Sequence, residues 1–388
     1  MHIGMVTDTF LPRINGVTKS TLTFAEHFRR LGHRVTIFAP RYPGAQEENP
    51  EVLRFPSYYL FFSPEDRLGN TLSPTARRLF KKLPELKLDI IHTQTPFALG
   101  IAMARQARRL GLASLHTYHT LFEAYMPHYF KLLPRSLDKP IVASFSRWFC
   151  DQHDQVIVPS SAIAEMLAGY RLRAPIKILP TGTDLSPFQN LDGKRMREKL
   201  GFGPEDKMLL SMGRVAHEKN IPFLFDVLER LQAKQPRARL VVAGQGPALE
   251  SVKAESEKRR LGERVVFLGL LNRRDWADLY AAADLHLLAS VTETQGLVLT
   301  ESMAAGTPCV AVAAMGVRDV MQGGGGLAVS LNLEEFTAAV LRLLEDKQLY
   351  AAKVEECSRQ AHAWSAETKA QEMLDNYAQL IAAKRKAA

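Results

Sequence analysis

Two carboxylates that lie eight positions apart, Glu293 and Glu301, enclose a glycine at position 296. The residues that follow, 302–308, predict a short helix that a Gly-Thr-Pro run brings to an end. Glu293 is therefore expected in a loop and Glu301 on the first turns of a helix. Ionised carboxylates accept strong hydrogen bonds from hydroxyl groups, and a helix N-terminus beside a glycine turn suits a phosphate. The segment predicts a site for a nucleotide-sugar, in which sugars are joined to a diphosphate.

A second segment, residues 213–220, carries two cations. Arg214 and Lys219 lie five positions apart, after a predicted strand and before a predicted helix. Arginine offers a bidentate fork and lysine a compact charge, so the two can converge on one anion. The alternative for this segment is a solvated loop with an arginine–glutamate pair. The alternative for the two carboxylates is an ordinary helix N-terminus with an acidic cap.

The first half of the chain contains two further candidate positions. Gly16 starts the helix after the first predicted strand, and a glycine there lets the backbone approach a phosphate or a sugar closely. His116 and His119 end another predicted strand, where ligands gather in open α/β sheets. A histidine at such a strand end is a candidate for a functional group, although His116 is expected to give structural support.

The elements that must position these residues alternate between strands and helices. Strands are predicted at 2–7, 34–39, 89–92, 113–116, 155–159, 208–212, 240–243, 265–268, 285–288 and 309–313, and helices at 17–31, 222–233 and 368–386. This alternation predicts βαβ units and two parallel sheets in an α/β fold. Residues 178–184 are predicted to bridge the two halves, and the four glycines at 323–326 favour a flexible turn.

Together these segments resemble the retaining glycosyltransferases with the GT-B fold, the large family numbered four in the usual classification of sugar enzymes. The resemblance rests on the E-x7-E pattern with Gly296 inside it and Ala-Ala-Gly-Thr-Pro after it. It also rests on the G-R-x-x-x-E-K-N segment at 213–220 and on the N-terminal loop at 8–17.

The resemblance implies two Rossmann-like domains that face each other across a cleft. Residues 1–184 would form an N-terminal, acceptor-binding domain. Residues 185–366 would form a C-terminal domain that binds the nucleotide-sugar. The last helix, 367–388, would pack back on the N-terminal domain.

The same resemblance assigns roles in donor binding. Arg214 and Lys219 would hold the donor diphosphate, Glu301 the ribose hydroxyls and Glu293 the transferred hexose. Leu270 lies where family members hold the nucleobase through main-chain contacts, and residues 295–298 would supply backbone amides. The implied donor-binding residues are Gly16, Gly213, Arg214, Lys219, Leu270, Glu293, Gln295, Gly296, Leu297, Val298 and Glu301.

The implied catalytic residues are His119, Glu293, Arg214 and Lys219. His119 matches the family position beside the transferred sugar, where it can bond a hydroxyl or stabilise developing charge. Two carboxylates also fit a glycosidase, but the cations and loop amides favour a phosphate leaving group that is stabilised electrostatically. No Asp-x-Asp motif is present, so we expect neither a metal nor another cofactor. The family retains the anomeric configuration of the sugar.

The segments 116–131 and 293–297 resemble the subgroup that glycosylates diacylglycerol, which includes glucosyl- and galactosyl-diacylglycerol synthases and sulfolipid synthases. This resemblance implies transfer of glucose or galactose from a UDP-sugar to a lipid acceptor, diacylglycerol, in glycolipid biosynthesis. An alternative is a transferase that uses GDP-mannose or a UDP-sugar and acts on a phosphoinositol lipid or a soluble acceptor.

The net charge of +9 lies entirely in the first half of the chain, because residues 1–180 hold 23 Lys plus Arg against 14 Asp plus Glu. The segments 58–62, 77–83 and 129–135 mix aromatics with cations, which is typical of a lipid headgroup boundary. An anionic membrane surface is therefore an expected partner, and solvated amphipathic helices are the alternative. Nucleic acid is not an expected partner, since no recognition module accompanies the pI of 9.4.

Composition is typical of a large soluble enzyme. The 388 residues are 46% hydrophobic, which is enough for about two domains with substantial cores. No run of about 18 apolar residues and no signal-peptide pattern are present in the sequence. Three scattered cysteines form neither a metal-binding pattern nor a disulfide framework. We expect a cytoplasmic protein that associates peripherally with membranes.

Overall fold

The computed structural model describes residues 1–44, 49–59, 67–119 and 135–387, except for the side chains of residues 135–138. Its contacts divide the chain into two units. The first unit comprises Met1–Gly182 together with Ala366–Ala388, and the second comprises Thr183–Ser365.

Parallel strands form the main sheet of the first unit. The strands of this unit are β1 His2–Val6, β2 Arg34–Pro40, β3 Val52–Phe55, β4 Ser57–Tyr59, β5 Arg67–Gly69, β6 Ile90–Thr93, β7 Ala113–Thr117, β8 Gln155–Val158 and β9 Ile176–Ile178. The main sheet has the order β3-β2-β1-β6-β7-β8-β9, and β4 and β5 form a separate antiparallel pair. All of β1 is buried, as expected for a parallel sheet with helices on both faces.

Helices cover both faces of this sheet. Those of the first half are α1 Gly16–Arg30, α2 Pro74–Lys82, α3 Ala98–Arg109, α4 Arg135–Cys150 and α5 Ser161–Gly169. The side chain of Asn15 caps α1 by accepting a hydrogen bond from the amide of Thr18 at 2.9 Å. On one face Ile3 and Met5 pack against Phe24 and Phe28 of α1.

The second unit is a doubly wound parallel sheet. Its strands are β10 Lys207–Met212, β11 Ala238–Ala243, β12 Val265–Gly269, β13 Leu285–Leu288, β14 Cys309–Val312 and β15 Gly326–Val329. The strand order is β12-β11-β10-β13-β14-β15, and every pairing is parallel. Both sheets therefore start in the middle and grow outwards in two directions, which is the Rossmann arrangement.

The helices of the second unit lie between these strands in the sequence. They are α6 Gly193–Lys199, α7 Ile221–Leu231, α8 Leu249–Lys258, α9 Arg273–Ala282, α10 Leu297–Ala304, α11 Gly316–Met321, α12 Leu333–Glu345 and α13 Lys347–Ala363. Short 3-10 turns lie at Leu83–Leu86 in the first unit and at Ser186–Phe188, His217–Lys219 and Gly262–Arg264 in the second. The prediction of two parallel α/β halves is confirmed.

The last helix, α14 (Ala366–Ala387), belongs to the first unit although it follows the second in sequence. Its apolar residues, including Met373, join the core around Phe28. Tyr377 is fully buried, and its hydroxyl lies 2.6 Å from Nδ1 of His92 on β6. Helix α14 therefore completes the core of the first unit.

The glycine run at 323–326 is not the flexible turn that the sequence predicts. Gly326 is the first residue of β15 and pairs with Cys309 of β14. The amide of Gly325 donates a hydrogen bond of 2.8 Å to the carboxylate of Glu356. The run is a packed connection into the edge strand.

Candidate active site

The carboxyl ends of β10 and β13 mark the point where the strand order of the second sheet reverses. Open α/β sheets bind ligands in the crevice at this point. The segment 213–220 follows β10 directly, and the loop 289–296 connects β13 to α10. Both segments that the sequence singled out therefore leave the sheet at adjacent strand ends.

Helix α10 begins with an uncapped N-terminus. Gly296 is the N-cap residue and has a φ of +86°, a left-handed conformation that costs other residues about 1–2 kcal/mol. Among the described residues, no side chain caps this helix, and its first turn contains no acidic residue. The alternative of an acidic cap is therefore wrong. The amides that begin a helix, here those of Leu297 and Val298, have no partner within it and can face an anion.

The loop before α10 is held from the side by α11. The amide of Gly316 donates a hydrogen bond of 2.9 Å to the carbonyl of Glu293. A Cβ atom at position 316 would lie only 2.4 Å from the carbonyl oxygen of Thr294, so the glycine permits this close approach. The side chain of Gln295, in the same loop, is buried. The end of the loop, at residues 293–296, is thus packed in place.

An ion pair joins the two candidate segments. Lys219 ends the 3-10 turn after β10, and its Nζ contacts Oε1 of Glu293. The two side chains are only 21% and 15% exposed. Since they lie 74 positions apart in sequence, only the fold brings them together. The contact places a cation beside the carboxylate at the N-terminus of α10.

Arg214 takes a different partner. Its guanidinium contacts the carboxylate of Glu218 four residues later, and the arginine side chain is 56% exposed. This is the arginine–glutamate pair that the alternative interpretation of the segment predicts. Arg214 and Lys219 thus lie on one loop, but each contacts a different carboxylate.

Glu301 lies on the second turn of α10 and is held by a tyrosine. The hydroxyl of Tyr280, on α9, donates a hydrogen bond of 2.8 Å to Oε2 of Glu301. Burial raises the pKa of the Tyr280 hydroxyl well above its ordinary value, and the charge of Glu301 raises it further. Tyr280 therefore remains a donor and orients the carboxylate. Sequence reasoning did not find Tyr280, because one tyrosine on a helix carries no spacing signal.

His286 lies in the middle of β13 and was also not found from the sequence. Its ring is fully buried, and both ring nitrogens are without a hydrogen-bond partner in the described structure. Burial lowers its pKa to about 3, and the positive charge of Lys219 acts in the same direction. The ring packs edge-on against Tyr280, with 5.6 Å between centroids. A neutral histidine therefore supports the tyrosine that holds Glu301.

The remaining predicted donor residues lie at the same edge of the second sheet. Gly213 follows β10, and its amide bonds to the carbonyl of Ala243 at the end of β11. Leu270 follows β12 and is largely exposed. Val298 packs partly buried on the core beneath α10.

Two predicted residues, Gly16 and His119, lie in the first unit. Gly16 is the first residue of α1, and a Cβ atom there would meet nothing within 4 Å. His119 follows β7, and its Nε2 lies 2.7 Å from Oε1 of Gln94. Burial lowers the pKa of His119 to about 4, so the ring is neutral at pH 7. His116 is fully enclosed, with Nδ1 bonded to Thr93.

No metal site is found in the described part of the chain, where no three His, Cys, Asp or Glu side chains form a group that could hold an ion. The metal-independent reaction stays a prediction. Over the same residues, no helix is both long and apolar enough to cross a membrane.

The strand orders and the site at the second switch point define a class of protein, the glycosyltransferases with the GT-B fold. Sucrose-phosphate synthase from Thermosynechococcus elongatus has the same fold, with a TM-score of 0.77 and 21% identity over 98% of this chain and 99% of that one. The predicted fold class is confirmed.

Sequence comparisons define the family. The model for Glycosyltransferase Family 4 matches residues 14–187, and the model for Glycosyl transferases group 1 matches residues 192–364. Alpha-monoglucosyldiacylglycerol synthase from Streptococcus pneumoniae is 35% identical over 323 residues, which cover 80% of this chain and 71% of the relative. A GDP-mannose-dependent alpha-mannosyltransferase from Mycolicibacterium smegmatis is 26% identical over 90% of both chains. The chain belongs to glycosyltransferase family 4.

Proposed function

We propose that this glycosyltransferase moves glucose or galactose from a UDP-sugar to diacylglycerol, with retention of the anomeric configuration. The observation that carries the donor site is the contact between Lys219 and Glu293 at the N-terminus of α10. It combines, at one place, the groups that a diphosphate and a sugar require. The acceptor is proposed from the relative at 35% identity, which is a monoglucosyldiacylglycerol synthase.

The donor diphosphate would bind where the amides of Leu297 and Val298 begin α10. Backbone amides and the helix dipole favour negative charge at this end. Lys219 adds a positive charge from the adjacent strand end, and Arg214 adds a second cation on the same loop. As the sugar–phosphate bond breaks, charge grows on the departing phosphate, and these groups stabilise it electrostatically.

The carboxylates would hold the sugars of the donor. Glu293 accepts hydrogen bonds from the hydroxyls of the transferred hexose, while Lys219 keeps it oriented. Glu301, which Tyr280 holds from the other side, accepts from the ribose hydroxyls. For His119, in the first unit, we propose that the neutral ring bonds a hydroxyl of a sugar substrate.

A lipid acceptor agrees with the surface of the first unit. Arg77, Arg78, Lys81 and Lys82 are all exposed on α2. Ile141, Phe145 and Trp148 recur on one face of α4 and are each more than one-third exposed. Aromatic and cationic side chains of this kind suit the headgroup region of a membrane. We therefore propose peripheral association with an anionic membrane from the cytoplasmic side.

Two of the three aromatic–cation segments lie partly or wholly outside the described residues. Tyr58 and Tyr59 are described and exposed, but residues 60–62 lie outside the description. Residues 120–134, which carry most of the acceptor resemblance, also lie outside it. The proposal for the membrane surface therefore rests on α2 and α4.

A second candidate is a transferase that uses GDP-mannose and acts on a phosphoinositol lipid or a soluble acceptor. It is favoured by the 26% identity with a GDP-mannose-dependent alpha-mannosyltransferase over 90% of the chain. Both candidates use the same diphosphate site, so they differ in the base, the hexose and the acceptor.

The deciding experiment measures release of free nucleotide from UDP-glucose, UDP-galactose and GDP-mannose, with and without diacylglycerol vesicles. We expect release from a UDP-hexose that increases with diacylglycerol, and a product with the anomeric configuration of the donor by NMR. Release of nucleotide from GDP-mannose, and from neither UDP-sugar, would select the second candidate. We also expect activity to survive a strong chelator, because cations and amides neutralise the leaving group. Complete loss that a divalent ion restores would refute the metal-independent mechanism.

A further inference from the structure

Gln94 lies at the point where the strand order of the first sheet reverses. It follows β6, which is the neighbour of β1 at the centre of the sheet. Its backbone amide bonds to the carbonyl of Val6 at 2.7 Å, and the residue is only 2% exposed. Gln94 is thus held rigidly at the place where an open α/β sheet receives its ligand.

The side-chain oxygen of Gln94 determines which nitrogen of His119 carries hydrogen. Oε1 lies 2.7 Å from Nε2 of His119. An amide oxygen only accepts hydrogen bonds, so Nε2 must donate. Because a neutral imidazole carries one hydrogen, Nδ1 is left with its lone pair. In the described part of the chain, Nδ1 of His119 has no protein partner, so it can accept a hydrogen bond from another molecule.

The neighbouring histidines use their nitrogens differently. His92 bonds through both nitrogens, to the hydroxyls of Tyr377 and Thr117. His153 likewise bonds to the carbonyl of Phe149 and the hydroxyl of Thr93. Both nitrogens of each of those rings are bonded to the protein, whereas Nδ1 of His119 keeps a lone pair that can accept a hydrogen bond.

The amide nitrogen of Gln94 provides an independent observation. Nε2 is buried and has no hydrogen-bond partner within the described residues. A buried donor without a partner costs about 1–3 kcal/mol, so such groups are rare unless a ligand uses them. The amide nitrogen of Gln94 and Nδ1 of His119 therefore offer a ligand two separate groups, one donor and one acceptor, because the ring directs Nδ1 away from Gln94.

We propose that Gln94 is a positioning residue for glycosyl transfer, which holds His119 in the Nε2–H tautomer so that Nδ1 accepts a hydroxyl of the substrate. Its own amide nitrogen supplies a separate donor to the substrate. The inference rests on the proposed role of His119 in binding a hydroxyl of a sugar substrate. The inference adds Gln94 as the residue that makes Nδ1 of His119 an acceptor rather than a donor toward the substrate.

The first test reads the tautomer directly, without any substrate. Nitrogen-15 NMR of the histidine rings in the full chain should show His119 protonated at Nε2 and not at Nδ1 at neutral pH. Gln94→Met removes both polar atoms at similar size and should produce a mixture of tautomers. Protonation at Nδ1 in the wild type, or an unchanged tautomer in Gln94→Met, would overturn the proposal.

The second test reads catalysis with UDP-glucose and diacylglycerol vesicles. Gln94→Met should lower kcat about ten- to a hundredfold, since two hydrogen bonds near the reacting sugar are lost. Gln155→Met is the matched control. Gln155 begins β8, so it lies at the amino-terminal ends of the strands of the same sheet, whereas Gln94 lies at their carboxyl ends. The side-chain oxygen of Gln155 accepts a hydrogen bond from Asn376 at 2.6 Å. The control should keep its kcat, and an equal loss in both variants would show a merely structural effect.

A third variant separates this inference from the proposed function. Gln94→Glu places a carboxylate against the ring, which favours the charged form of His119 and should move the acid limb of the kcat profile to higher pH. An unmoved profile would contradict a link through His119. If His119→Ala keeps full activity, the proposed role of His119 in catalysis fails. If Gln94→Met still changes the tautomer of His119 in the otherwise wild-type chain, the positioning of the ring by Gln94 stands.

Discussion

The ion pair between Lys219 and Glu293 is the contact on which the proposed donor site depends. Both side chains are mostly buried, so little water can solvate either charge. Removing one partner of such a pair leaves an uncompensated charge and costs more than the pair itself contributes. The two residues therefore act as one unit, and their mutants should be non-additive.

Glu293→Gln and Lys219→Met should each reduce turnover about ten- to a hundredfold, because a charged hydrogen bond is worth about 1.5–3 kcal/mol. The double variant should be less impaired than the product of the two single effects. Steady-state kinetics with thermal melting for each variant measures this.

Glu250→Gln is the control for this cycle, because Glu250 pairs with Lys253 on the exposed face of α8. It should be kinetically silent. Additive effects of Glu293→Gln and Lys219→Met would show that the contact does not matter for catalysis.

At the scale of residues, the sequence indicated candidate residues for the site but not the contacts between them. The motifs placed Glu293 and Lys219 in separate loops, because nothing in a sequence measures the distance between residues 74 positions apart. Tyr280, His286 and Gln94 were missed, since each is a single polar residue that becomes informative only through its burial and partners.

At the scale of elements, the start of α10 is where we propose that the diphosphate binds. The helix is only eight residues long, so its dipole is concentrated in the amides of its first turn. Gly296 sets the direction in which the helix begins, and the contact of Gly316 with Glu293 holds the loop before it. A change in the angle of this helix would move every amide at once.

Gly296→Ala should therefore weaken diphosphate binding. Alanine in the left-handed conformation is strained by about 1–2 kcal/mol, which the chain relieves by shifting the start of the helix. Gly306→Ala is a matched control at the other end of α10, with a φ of +77° and open space around the Cβ atom.

Both glycine variants should lose similar stability in chemical denaturation. In calorimetry with UDP, only Gly296→Ala should lose affinity, by about tenfold. An equal loss of affinity in the two variants would indicate general destabilisation.

Elements with continuous apolar runs were predicted within about two residues of their observed bounds, as for β10 and β13. The missed strands are β3, β4, β5, β9 and β15. Strand β9 has three residues that are only partly covered, and β15 begins at a glycine that reads as a turn. Such strands exist because a neighbouring strand offers its edge, so their own sequence carries little signal.

At the scale of the whole molecule, the uneven charge predicts where the protein meets a membrane. Arg77, Arg78, Lys81 and Lys82 changed together to Glu should abolish flotation with anionic vesicles, because each cation contributes on the order of 1 kcal/mol near such a surface. Transfer to a detergent-dispersed acceptor should survive, and wild-type binding should weaken as salt rises.

The control for this charge reversal makes the same change on the second unit, at the exposed residues Lys234, Arg237, Lys258 and Arg260. It should float like the wild type. Equal flotation of all three proteins would leave the basic surface without a lipid-binding role.

As pH falls from 7 to 5, the first unit should lose more of its free energy of unfolding than the second. Burial lowers the pKa of His119 and His153 to about 4 and that of His92 and His116 well below its ordinary value. The unfolded chain therefore binds protons first as pH falls from about 6.5 to 4. Each such histidine then reduces the free energy of unfolding by about 1.4 kcal/mol per pH unit.

One buried carboxylate opposes this effect. Burial raises the pKa of Asp8 to about 6, so its protonation in the folded state adds stability as pH falls from about 6 to 4. Asp8 offsets one of these four histidines, and burial also lowers the pKa of His2 and His33 in the first unit. In the second unit, His286 is the histidine whose pKa burial lowers. Hydrogen exchange at pH 7 and pH 5 should show a larger loss of protection in β6 and β7 than in β10 and β13. Equal losses would contradict the assignment of neutral histidines.

The position of α14 has a consequence for the order in which the protein acquires its structure on the ribosome. The core of the first unit needs Met373 and Tyr377, which are translated after all of Thr183–Ser365. At about 5–20 residues per second, the intervening segment of about 180 residues delays that helix by roughly ten to forty seconds. During that interval the second unit can fold to completion, while the first presents an open apolar face to chaperones. The part of the chain that is made first is therefore finished last.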